Sequence, residues 1–256
     1  MRICRFLHDG KIKNGVVVNE FVYLLNDSPN LQQIDLDLKN AVSLKKSEVK
    51  FLPPAMPTKI VCVGRNYAEH AAELGNEIPK EPLLFLKATS SLIIDGENIL
   101  LPSQSIQVEH EGELAVVIGR DCKNIAENEN VSDFVFGYIC LNDVTARDIQ
   151  RKDIQFTRAK SFDTFCPVGA FIETDLDVSD LLITTKVNGV LKQRARTSQM
   201  IFSVPFLIRY ISNQMMLKAG DIIATGTPAG VSRLADGDVC EVEIEGIGVL
   251  RNGVSI

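Results

Sequence analysis

The stretch VEHEGELAVVIG, Val108 to Gly119, sets carboxylates at every second residue, Glu109, Glu111 and Glu113, and then runs into an apolar segment. In an extended chain alternate side chains share a face, so a strand here points all three the same way. Like charges so placed repel one another. Either they are solvated at an exposed strand end, or a hard divalent cation such as Mg²⁺ draws them together through its preference for oxygen ligands. The apolar continuation brings them close to buried backbone, where unpaired charge is expensive. A third oxygen ligand is on offer in FVFGYICLNDVTARDIQ, where Asp143 projects from the tip of an apolar strand. Arg147 and Gln150, four and seven residues on, return to one side of a helical turn. A plain Asp–Arg surface pair is the competing reading.

A second group lies in NYAEHAAELGN. The pattern predicts a short helix with Asn66 as N-cap, Glu69 at the capping-box position and Gly75 as the stop. His70 and Glu73, three apart, face the same way, so the carboxylate can fix the imidazole's tautomer and raise its basicity. Spacing alone describes a surface contact equally well. Lys160, in AKSFD, reads on its own as a surface lysine. ATGTPAG ends a strand in a Gly/Thr/Pro turn that is either punctuation or a cradle aiming Thr225, Thr227 and backbone N–H groups at an anion.

These groups need a frame to hold them. Residues 1–55 read as a small β-rich unit in which HDGK and KNG are turn signals between short strands. LPPAMPTK, with three prolines, reads as a linker. Residues 56–256 alternate many short strands with few helices. MIFSVPFLIRYISNQM has helical spacing and tolerates Pro205 in its first turn, and VNGVL and IEGIG read as hairpin turns. The expected class is α+β, mixed and dominated by sheet.

Composition narrows the function. With 45% hydrophobic and 23% charged residues the chain suits a globular fold, and its net charge of −6 offers no basic stripe to nucleic acid. Six scattered cysteines without a C-x-x-C pair read as buried thiols of a reducing compartment. The first residues carry no signal-type apolar region, and no run approaches membrane-spanning length. A cytoplasmic enzyme or binding protein is expected, without a membrane partner.

VGRNYAEHAAELGN, EPLLFLK, HEGELAVVIG, GYICLNDVTARDIQ, AKSFDTFCPVGAF and GDIIATGTPAGV resemble, in order, the successive motifs of the fumarylacetoacetate hydrolase superfamily, from about Lys59 to the C-terminus. Within it the chain is most similar to the acylpyruvase, oxaloacetate decarboxylase and 2-hydroxyhepta-2,4-diene-1,7-dioate isomerase branch. The resemblance implies that Glu111, Glu113 and Asp143 bind one Mg²⁺ or Mn²⁺ and that His70 and Glu73 form a catalytic dyad on a lid. It also implies that Lys160 stands by the metal and an enolate oxygen. Arg147, Gln150, Thr225, Gly226 and Thr227 become substrate-binding positions, with Arg65 and Lys87 as further carboxylate partners. Glu109 is no ligand in that pattern and is expected to be solvated or paired with a lysine. Ala88 departs from the proline that many relatives carry.

The expected activity is then a divalent-metal-dependent hydrolase or decarboxylase of acylpyruvates or other 2-oxo acids, working through a metal-bound enolate. An isomerase or tautomerase of hydroxymuconate or oxaloacetate type is the alternative, since the same base serves proton transfer alone. The family also implies a homodimer. A binding protein whose metal merely staples the sheet is the competing class; catalytic ions keep open positions that structural ones lack.

Overall fold

The computed structural model describes residues 1–25 and 41–256. Its central strand, Gly112–Ile118, is buried at every position, as a strand covered on both faces must be. It pairs antiparallel with Val135–Asn142 on one side and with Ile222–Ala224 on the other. Beyond Ile222–Ala224 the sheet continues with Ile60–Gly64, parallel to it, and then Leu83–Lys87, antiparallel. In the other direction Ile172–Glu173 joins Val135–Asn142 to the first strand, Arg2–His8. Lys11–Val18, Phe21–Leu24 and Ser43–Lys45 therefore extend the same sheet. A second sheet holds Val190–Arg196, Leu182–Val187, Val239–Ile244 and Gly248–Ser255, antiparallel in that order, with Ile99–Leu100 added parallel to the last. The architecture is mixed and sheet-rich, as expected.

Strand alternation decides which residues meet. Leu114, Val116 and Ile118 pack with Ile183 and Val242 of the second sheet and with Leu207, Ile208 and Ile211 of the helix Val204–Gln214. Ala115 and Val117 face the other way, toward Ile60, Cys62, Ile139 and Leu141. Glu113 has the parity of Ala115 and Val117, Asp143 that of Ile139 and Leu141, and Lys87 that of Phe85. A polar cluster consequently closes the end of the second core.

The N-terminal hairpin turns at Asp9–Gly10, both at positive φ, as the HDGK signal implies. KNG is not a turn. Lys13, Asn14 and Gly15 lie inside the strand Lys11–Val18, and the chain reverses at Asn19–Glu20 instead. Gly15 is needed there for space: a Cβ would come within 2.6 Å of a Val22 methyl and 3.0 Å of the Phe6 ring. The other two expected hairpins form, one through Asn188–Gly189 and one through Gly246, all at positive φ. Pro205 sits in the first turn of its helix. All six cysteines are buried and unpaired. Burial pushes the thiols of Cys4, Cys140, Cys166 and Cys240 up to about 12, which leaves them poor nucleophiles. Among the described residues no helix is long and apolar enough to cross a membrane.

Because Phe6 and Val22 already fill the space over Gly15, Gly15→Ala is expected to cost about 1–3 kcal/mol of stability. A urea titration reads this as a lower midpoint at unchanged slope; an unmoved midpoint would refute the packing argument.

Candidate active site

At the close of the second core, Glu111, Glu113 and Asp143 each offer a carboxylate oxygen within 4.8 Å of the others, and all three residues are buried. They line a cleft together with Arg65, His70, Phe85, Arg147, Gln150, Phe156, Lys160 and Thr227, with about 450 Å³ of empty space out to its mouth. Main-chain bonds set the spacing of two of the acids. The Asp143 N–H donates to the Glu111 carbonyl at 2.8 Å, and the Glu111 N–H donates to Asn142 Oδ1 at 2.9 Å.

Three buried cations interleave with the acids. Lys160 Nζ bridges Glu111 Oε2 at 2.6 Å and Asp143 Oδ2 at 2.7 Å. Lys87 Nζ donates to Asp143 Oδ1 at 2.6 Å from behind, and also to the Val144 carbonyl. Arg147 holds Glu109 through Nε at 2.7 Å, Glu111 through Nη2 at 2.5 Å and Gln150 Oε1 through Nη1 at 2.6 Å. Glu109 is thus neither solvated nor paired with a lysine. It is buried, and its partners are the Arg147 guanidinium and the Gln107 amide. The backbone leaves one sheet for another between Glu109 and Gly112, since Val108–Glu109 pairs with Thr145–Ala146. That pairing lays Arg147 across both acids.

Four buried carboxylates (Glu109, Glu111, Glu113, Asp143) face three buried cations (Lys87, Arg147, Lys160), one negative charge in excess. The excess falls on Glu113. Its carboxylate accepts one hydrogen bond among the described residues, from the Gly226 N–H at 2.8 Å. Burial, then repulsion from Asp143 and Glu111, drives its proton affinity well above the usual carboxylate range. Burial pushes Glu111 upward too, but Lys160 and Arg147 outweigh it and hold that group well below the usual range. A compact set of hard oxygen donors short of one positive charge is what Mg²⁺ or Mn²⁺ fits, and it has no sulfur that would select a softer metal.

His70 sits on the helix Ala68–Glu73, buried, with Nδ1 3.1 Å from Glu73 Oε2. Glu73 Oε1 accepts from the Gly230 N–H at 3.0 Å, so the orienting carboxylate is itself held. Tyr67, not Asn66, occupies the N-cap, and it makes no side-chain cap. Asn66 acts as a tie instead: its amide donates to the Phe202 and Thr225 carbonyls and accepts from the Phe202 N–H. Gly75 does stop the helix. At φ +69° it lets the Gly75 and Asn76 N–H groups reach the Ala72 and Ala71 carbonyls, a Schellman ending.

Three expected substrate positions do not face the cleft. Lys87 is turned to Asp143, and Thr225 donates its hydroxyl to the Leu114 carbonyl at 2.8 Å. The Gly226 N–H is taken by Glu113. Arg65, at φ +59° directly after the strand Ile60–Gly64, lines the cleft and makes no ion pair among the described residues. Gln193 was invisible in the sequence. It is fully buried, and its amide joins Gly112, His110, Thr227 and Pro228.

The fumarylacetoacetate (FAA) hydrolase C-terminal family model matches residues 59–255, and the chain belongs to that family. It is 43% identical over 225 residues to the oxaloacetate tautomerase YisK of Bacillus subtilis, covering 81% of this chain and 74% of that one. The solved 5-carboxymethyl-2-hydroxymuconate delta-isomerase of Mycobacterium smegmatis superposes with a TM-score of 0.91 at 38% identity, covering 100% of this chain and 99% of that one. The fumarylpyruvate hydrolase of Pseudomonas aeruginosa, solved with Mn²⁺ and pyruvate, gives 0.74 at 29% identity, over 80% of this chain and 92% of that one.

The raised Glu113 has a consequence for stability. The folded, metal-free protein keeps a proton there that the unfolded chain releases in the ordinary carboxylate range. Stability therefore falls as pH rises from that range through the folded value, and a dication that favours the carboxylate removes the fall. In thermal unfolding, Mn²⁺ should raise the midpoint more at about pH 8 than at about pH 5, and Glu113→Gln should abolish the difference. Equal gains at both pH values would count against Glu113 as the uncompensated acid.

Proposed function

We propose that this protein is a divalent-metal-dependent enzyme that enolises small 2-oxo acids, with oxaloacetate as the leading substrate. Interconversion of its keto and enol forms, or loss of CO₂, would be the outcome. The observation that carries this reading is the convergence of three buried carboxylates, one charge short of balance, with a Glu-oriented imidazole on the wall of one cleft. A Mg²⁺ or Mn²⁺ held by Glu111, Glu113 and Asp143 would supply the positive charge that favours negative charge building on a 2-oxo group.

The chain's own groups do the rest. With Nδ1 directed at Glu73, the His70 ring keeps Nε2 for the substrate and can take a proton from the carbon next to the oxo group. Returning it to oxygen completes a tautomerisation. In a decarboxylation no carbon-bound proton is taken first: the pair left by departing CO₂ becomes the enolate, and a proton from solvent would pass through His70 to that carbon. Lys160 holds a fixed ammonium beside the growing negative charge. Burial works against that charge, but Asp143 and Glu111 keep its proton affinity above the ordinary lysine value, so it stays a cation. Fixed charge in a site that excludes water supplies most of the rate enhancement in many such reactions. Arg65, with no ion-pair partner among the described residues, is the natural clamp for a distal carboxylate. The kinship to an oxaloacetate tautomerase supports this choice of substrate.

Hydrolysis of an acylpyruvate is the second reading, favoured by the structural likeness to a fumarylpyruvate hydrolase. Here His70 would take its proton from water attacking a distal carbonyl.

A panel of oxaloacetate, acetylpyruvate, fumarylpyruvate and a hydroxymuconate, each with Mg²⁺ and product analysis, separates the outcomes. His70→Asn is expected to lower kcat by about 10²–10⁴-fold with little change in KM. Full activity after chelation, or an unimpaired His70→Asn, would sink the proposal. Arg65→Ala should raise KM for dicarboxylates by about 10-fold or more, the worth of a charge-assisted bond, while leaving monocarboxylates nearly untouched.

A further inference from the structure

In the loop after Ala224, where the sequence suggests an anion cradle, both threonine hydroxyls are already committed as donors, and the reason lies in how its strand ends. The strand Ile222–Ala224 pairs with Gly112–Ile118 only as far as Ala115. Past that point the Leu114 carbonyl accepts from both the N–H and the hydroxyl of Thr225, at 3.1 and 2.8 Å, and the Gly112 carbonyl takes the Thr227 hydroxyl at 3.0 Å. Both carbonyls lie in fully buried residues, and an unpartnered buried carbonyl is costly.

For Thr227 the assignment is closed from both sides. Gln193 Oε1 accepts from the Gly112 N–H at 3.0 Å, a backbone donor whose polarity cannot reverse, so the opposite end of that amide is its nitrogen. That nitrogen donates to the Pro228 carbonyl and to Thr227 Oγ1, each at 2.7 Å. His110, 3.1 Å from the same Oε1, must then carry its proton on Nδ1, and Nε2 takes the Ser232 hydroxyl at 2.9 Å. A threonine hydroxyl has one donor and two acceptor sites. Here the donor is committed to Gly112, one acceptor site is filled by Gln193, and Thr227 lines the cleft. What remains is a lone pair.

We propose that Thr227 is a specificity-determining residue that accepts a hydrogen bond from a donor on the bound acid, an enol or 2-hydroxy O–H, with Gln193 and His110 as the positioning residues that fix its polarity. The inference deepens the proposed reaction and rests on it for the identity of the ligand. A lone pair repels a carboxylate oxygen and welcomes a hydroxyl. The Thr227 hydroxyl therefore favours the enol over the keto form of a 2-oxo acid.

The test uses malonate and 2-hydroxymalonate, which differ by one hydroxyl, titrated calorimetrically into the Mn²⁺-loaded protein. Wild type is expected to bind the hydroxy acid at least 5-fold tighter than malonate. Thr227→Val should erase that preference, Thr227→Ser should keep it, and Gln193→Glu, which cannot donate to Thr227, should lose it. If Thr227→Val weakens malonate as much as the hydroxy acid, or wild type shows no preference, the inference is overturned. Should the valine variant fail to fold, the Ser and Glu variants decide between the same outcomes. Neither ligand is turned over, so a protein that shows the preference yet processes no 2-oxo acid would sink the proposed reaction and leave this assignment standing.

Discussion

Four buried acids and three buried bases cannot come to rest without one more positive charge or one more proton. An ionised carboxylate moved out of water loses several kcal/mol of solvation even after the surroundings relax. Lys160, Lys87 and Arg147 offset this for Glu111, Asp143 and Glu109, each through contacts of 2.7 Å or less. Glu113 is left with a backbone N–H. The sheet is built around the imbalance: strand parity points the acids inward, and the change of sheet after Glu109 brings Arg147 over them. With a dication in place the cluster would carry net positive charge, suited to an anionic ligand. An acidic protein would in that way present a locally positive cleft.

Oriented groups come from pairs of elements distant in sequence. Glu73 takes its fixed position from Gly230, Thr227 from Gln193, and Asn66 from Phe202 and Thr225. Each tie uses a backbone group or an amide whose polarity is set by one. Such bonds resist inversion in a way that hydroxyl-to-hydroxyl contacts do not, which is how a site made of short helices and turns keeps its geometry.

Much of this was legible from residue order. Alternating glutamates before an apolar run foretold a shared face, Asp9–Gly10 and Asn188–Gly189 foretold hairpins, and Pro205 marked a helix start. Local signals misled where a distant partner outbid them. Asn66 has the chemistry of a cap, but Phe202 and Thr225 claim its amide. KNG has the composition of a turn, but Gly15 was selected by the bulk of Phe6 and Val22. Glu109 looked expendable because its partner, Arg147, reaches it only through a strand pairing with Thr145–Ala146. Gln193 gave no signal at all, since a glutamine among Lys and Arg on a strand reads as surface until the second sheet covers it.

The ties of Asn66 and Glu73 also bear on how the molecule is made. His70 belongs to the first third of the chain, yet the groups that seat its helix are Phe202, Thr225 and Gly230. During synthesis, which proceeds from the N-terminus, the early strands can pair with one another long before those residues leave the ribosome. The histidine cannot be seated until nearly the whole polypeptide has emerged, so a truncated nascent chain carries His70 without the means to aim it.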